Sequence, residues 1–174
     1  MIRHRRKGPR AVVSALATIA PALATVAVLG AAPAGAAPKA PAGARGAKAI
    51  AMRENNLLVR VNAVRRAHGL STVRLDSRLA SSAKAWSGTM ARAQCIWHDT
   101  ARLQRLDDQM DEAALGETIA MIPTSFSGTA AVTMQAWMDS AAHRAEILAP
   151  GLHRAGVGIV ASGGQYFITL DIGS

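Results

Sequence analysis

No residue from 11 to 29 carries a charge, and the stretch just before that run is crowded with cations: Arg3, Arg5, Arg6, Lys7 and Arg10. Ala34, Gly35 and Ala36 then supply small side chains where a signal peptidase cuts. A basic region, an apolar region and a small-residue cleavage site, in that order, are the parts of a secretory leader. The apolar run approaches the ~20 residues that cross a bilayer, but it is rich in alanine and Pro21 interrupts it. The reading is a cleaved leader over residues 1–36, not an anchor. Arg5-Arg6 raises a twin-arginine route, yet no Phe-Leu-Lys comes after it, which favours the general secretory route. The folding problem is thereby reduced to the residues after position 36. That remainder is expected to work outside the cytoplasm, with no membrane span once the leader is gone.

Removing the leader changes the charge argument. The whole chain has 20 Lys and Arg against 11 Asp and Glu. Eight of those bases precede Met52: the five already named, then Lys39, Arg45 and Lys48. From Met52 onward, 12 bases face 11 acids. A nucleic-acid partner would leave a basic footprint on the domain itself, and with two Phe, three Trp and one Tyr there is little material for base stacking. Nucleic acid is excluded as a partner. Cys95 is the only cysteine, so no internal disulfide forms and the hydrophobic core must carry the fold. Cys95 lies in the apolar stretch 90–97 and reads as a small buried hydrophobe.

Residues 37–51 are low-complexity Ala, Pro and Gly with scattered bases. They read as a flexible linker, leaving 52–174 as the domain. Leu57, Leu58, Val61 and Val64 fall at helical spacing and Gly69 is a stop, which predicts a helix over 54–68. Asp76 is a good N-cap for a second helix, with Leu79, Ala83, Trp86, Met90 and Ala93 along its apolar stripe, ending near Cys95. Leu103 and Leu106 suggest a short helix. The apolar run 117–122 predicts a buried strand, and Val132, Met134 and Trp137 predict a helix over 130–138. Ser140 is placed to cap a further helix that Pro150-Gly151 stops. Two β-rich runs, 157–160 and 166–170, flank a Gly-containing turn and predict a hairpin. Helices first, a strand midway and a hairpin last make an α+β pattern, an antiparallel sheet covered by helices.

Three residues at the ends of these elements could carry chemistry: His98, Glu117 and His143. Two imidazoles and a carboxylate are the usual protein ligands of a catalytic zinc, with an open position for water. Spacing alone leaves plainer roles open: His143 in the first turn of a capped helix, Glu117 paired with an arginine, His98 bonded to a loop.

The wording of the chain adds to this. The stretches GETIA from Gly116, WMDSAAHRAEIL from Trp137 and GVGI from Gly156 resemble the bacterial branch of the CAP superfamily. These are the SCP-like domains related to cysteine-rich secretory proteins, antigen 5 and pathogenesis-related proteins. Asn62-Ala63-Val64-Arg65, Leu75-Asp76-Ser77-Arg78-Leu79 and His98 agree in order, so the resemblance covers residues 54–172. It implies a three-layer α-β-α sandwich with a central antiparallel sheet. It also implies a shallow cavity lined by two His and two acidic residues, which binds zinc or another divalent ion in some members. His98, Glu117 and His143 match three of those four. The fourth position is Ser140, so the second carboxylate is absent and Ser140 is left as a hydrogen-bond partner to the others. Asp139, its neighbour, should point elsewhere on a helix. Thr118 and Glu146 each stand where asparagine is usual.

Two functions emerge as expectations. The first is a secreted extracellular binding or interaction module with no turnover, its partner an unidentified lipid or cell-wall component. The alternative is a metal-dependent hydrolase, with Glu117 as general base on water bound by a metal at His98 and His143. Zinc or another divalent cation is the one cofactor class these residues suggest. A purely structural role for the His-Glu-His set is a third reading.

Overall fold

The computed structural model describes residues 11–13, 42–110 and 114–174. Ten elements run in chain order: β1 (Ala11–Val13), α1 (Ala42–Ala67), β2 (Arg74–Leu75), α2 (Ser77–Ala93), α3 (Thr100–Met110), β3 (Ala114–Pro123), α4 (Thr129–Asp139), α5 (Ala141–Ile147), β4 (Arg154–Ser162) and β5 (Gln165–Gly173). The strands form one sheet in the order β1-β3-β5-β4-β2. Its centre, β3-β5-β4, is antiparallel as expected. The edges are not: β1 joins β3 and β2 joins β4 in parallel, so the sheet is mixed. A two-residue strand such as Arg74–Leu75 has no periodicity of its own to read and exists because Ala155 and Arg154 lie beside it.

Alternation along the strands sorts side chains into two layers. Ala120, Ile122, Val157, Ile159, Ile168, Leu170 and Ile172 pack with Leu57 and Val61 of α1, Met134 and Trp137 of α4, and Ile147 of α5. On the opposite face, Leu115 meets Leu79, Leu103 and Leu106, and Ile119 and Phe167 meet Trp86 and Met90. The result is helices on both faces of a sheet, an α-β-α sandwich. Close approach on the second face depends on Gly156 and Gly158. A Cβ on Gly156 would lie 2.0 Å from the Ala80 nitrogen, and one on Gly158 would lie 2.2 Å from the Lys84 nitrogen. The α2 backbone therefore rests directly on β4.

Local signals set several boundaries. Asp76 caps α2 through Oδ1, which accepts from the backbone N–H of Arg78 at 2.8 Å and Leu79 at 3.1 Å. Gly69, at φ +71°, ends α1 in the left-handed region that favours glycine. Ser140 makes no side-chain cap bond to α5, contrary to expectation. The first helix also departs from the sequence reading, because α1 starts at Ala42 and runs through residues assigned to a flexible linker. Alanine is the strongest helix former, and Ile50 packs against the core, so these turns extend a helix that tertiary contact already holds. The leader assigned to 1–36 and the linker residues 37–41 lie outside the described residues, apart from Ala11–Val13.

Candidate functional site

His98, Glu117 and His143 come from three different elements and lie in one region beside β3. Glu117 stands on β3, in register with Asp171 of β5 and on the same face. His98 lies in the segment between α2 and α3, and His143 in the first turn of α5, which belongs to the opposite layer. The His98 and His143 ring centroids are 6.3 Å apart, with the planes inclined at 47°. Ser140, the residue before α5, is half-buried.

Glu117 is 3% exposed and both of its oxygens are taken. Oε1 is hydrogen-bonded with Nδ1 of His98 at 2.8 Å, and Oε2 accepts from Nη2 of Arg102. Arg102 also donates to both oxygens of Asp171, at 2.7 and 2.9 Å, and to the Ser82 hydroxyl. Burial works against the charge of Arg102, but the bonds and charges of Asp171 and Glu117 outweigh it and hold its pKa above the ordinary value. Asp171 is wholly buried, and that desolvation pushes it up to about 6 despite the pull of Arg102.

The other half of the region has polar atoms without partners. Both ring nitrogens of His143 are buried and make no hydrogen bond, and so is Oε1 of Glu146. Desolvation, then the proximity of His98, lowers the His143 pKa. Desolvation raises Glu146 to about 7, with His98 acting in the opposite sense. Glu146 lies against Gly116, where a Cβ would come within 2.1 Å of its Oε2. In the sequence, Glu146 stands out only as a departure from the usual asparagine, and nothing there marks Arg102 or Asp171. Only the register of β3 with β5 could have announced Asp171.

These contacts bear on a metal. Each Glu117 oxygen already has a partner in Arg102 or His98, and among the described residues no three His, Cys, Asp or Glu are gathered closely enough to hold an ion. The residues therefore do not fit a three-ligand centre. As a general base Glu117 would have to compete with Arg102 and His98, each already bonded to one of its oxygens. Cys95 is exposed just past the α2 terminus, not buried as expected. Gln94 there is in the left-handed conformation and ends the helix, which turns the chain outward.

Residues 58–172 match the cysteine-rich secretory protein family, CAP. The chain belongs to the CAP family. A Bacillus subtilis relative, the uncharacterised protein YkwD, is 30% identical over 119 residues, 66% of this chain and 45% of that protein. This CAP chain thus spans less than half the length of that relative. Among solved structures, an extracellular Bacillus anthracis protein containing an SCP domain is 24% identical, with a TM-score of 0.61 over 79% of this chain and 44% of that one. An outer surface protein of Borrelia burgdorferi has the same TM-score at 15% identity, over 71% of this chain and 92% of that one. These two share the CAP sandwich. Among the described residues of this chain, no helix is long and apolar enough to cross a membrane.

Proposed function

We propose that this CAP domain is exported and acts as an extracellular binding module, taking a single-chain amphiphile with an anionic head in the groove between α1 and α4. One observation carries the reading: a groove of about 850 Å³ in which α1 presents Met52 and Val59 beside the small residues Ala130 and Ala131 of α4. Met52 is 59% exposed and Val59 55%. Apolar side chains left facing water along a groove mark a place for an apolar ligand. Arg53 and Arg60 line the same groove and supply the positive charge that an anionic head would meet.

Binding without turnover is favoured over metal-dependent hydrolysis because Glu117, the base that hydrolysis would need, is held on both oxygens. Export rests on the leader sequence and is checked by sequencing the N-terminus of the secreted protein, expected at Ala37. The binding claim is tested by titrating the protein with a long-chain fatty acid carrying a fluorophore. Saturable micromolar binding is expected, and Val59→Asp should weaken it about tenfold or more with little change in stability, since Val59 is exposed. Signal that never saturates, or that ignores Val59→Asp, removes the groove as the site.

A further inference from the structure

Two carboxylates standing opposite each other on adjacent strands should repel, and burial makes the repulsion worse. Glu117 and Asp171 are such a pair, in register on β3 and β5 and 3% and 0% exposed. An arrangement of this kind needs a cation. In many carboxylate-lined cavities that cation is a divalent metal. Here a guanidinium is already in place. Arg102 presents its fork to both oxygens of Asp171, adds a bond to Glu117 and one to Ser82, and lies 5.7 Å over the ring of Trp86. A planar five-donor group matches two carboxylates in a way that a lysine ammonium cannot.

The network does not stop at Glu117. Its Oε2 accepts from Arg102, whose adjacent positive charge favours the carboxylate form, and a carboxylate Oε1 can only accept from His98. Nδ1 of His98 must therefore carry a proton, and in the neutral ring Nε2 is left as the lone-pair nitrogen. We infer that Arg102 is the resident cation of this site: it supplies the charge that a metal ion would otherwise bring to Glu117 and Asp171, and through Glu117 it fixes His98 with Nε2 as an open acceptor beside His143. That open nitrogen favours a ligand bearing an N–H or O–H donor, and Glu117 takes no direct part in holding a metal. Arg102 is a positioning residue in this account, acting through Glu117.

Long-range ¹H–¹⁵N spectra of the imidazoles at alkaline pH, recorded with and without zinc, test this. In the wild type, His98 should show the Nδ1–H tautomer and keep it when zinc is added. Arg102→Met should lose the single tautomer and gain a thermal stabilisation by zinc or calcium that the wild type lacks, while Arg102→Lys should recover indifference to metal but not the tautomer. An Nε2–H tautomer in the wild type overturns the inference, as does a change of tautomer when zinc is added. If the variants fail to fold, the wild-type tautomer, read with and without zinc, still decides.

Discussion

The Glu146 carboxyl lies buried against Gly116, with Oε1 unpartnered and its pKa raised to about 7 by desolvation. A carboxyl whose native pKa lies above its unfolded value binds more protons folded than unfolded. Its contribution to stability is full below about pH 4.5 and is lost as pH rises through about 7. His143 runs the other way: its lowered pKa favours the neutral ring, so its contribution is lost as pH falls below the unfolded value of ~6.5. Glu146→Gln keeps the shape and removes the charge. At pH 8 the variant should gain on the order of 2 kcal/mol over the wild type, and at pH 5 the difference should nearly vanish. Urea unfolding at the two pH values checks this, and a loss at pH 8 larger than that at pH 5 would show that the carboxylate has a partner. Gly116→Ala should displace Glu146, since the new Cβ would meet Oε2 at 2.1 Å.

Between elements, glycine and arginine matter more than caps. Replacing the Asp76 cap of α2 with alanine should cost about 1 kcal/mol. Gly158→Ala should cost more, about 3 kcal/mol, because its Cβ would meet helix backbone at Lys84 and not a side chain free to rotate away. Arg65 is another such joint. Fully buried, it donates from α1 to the carbonyls of Ser71, Ile147, Ala149 and Leu152 and so ties the end of α5 to α1. Burial lowers its pKa. Arg65→Met should cost about 4 kcal/mol by leaving buried carbonyls unsatisfied. Arg65→Lys should recover little, since one ammonium cannot reach the same set. Chemical denaturation of the four variants ranks the effects, and a cap loss exceeding the Gly158 loss would contradict the account of how α2 sits on β4.

At the scale of the molecule, the sheet edge and the start of α1 define what folds. Beyond β2, the outer edge of β4 has no strand beside Ile159 among the described residues. There Glu54 of α1 accepts from the Ile159 N–H at 2.9 Å, and Lys84 of α2 donates to its carbonyl at 2.6 Å. The two side chains also pair with each other at 2.6 Å, so the helical layers join across the open edge. Because α1 begins at Ala42 and Ile50 packs on the core, a chain beginning at Met52 should be less stable than one beginning at Ala37 by roughly 1–2 kcal/mol, the burial of one such side chain. Matching thermal midpoints for the two would show that the first turns of α1 contribute nothing.

Much of the fold was legible because it is local. The Asp76 cap, the Gly69 stop, the Trp137 helix and the Gly163-Gly164 hairpin all depend on neighbours within a few positions, where propensity and period act directly. Family wording carried the sandwich and the grouping of His98, Glu117 and His143. The features that stayed unread depend on separation along the chain. Arg102 meets Asp171 across 69 positions, and Arg65 meets Leu152 across 87. The parallel edge strands exist only where another strand lies beside them. A local pattern cannot report a partner that the chain reaches only after folding. By itself the sequence determined which residues could cap, turn, bury or ionise. Only the tertiary structure decided which charge neutralises which, because that is settled by desolvation and by what stands opposite.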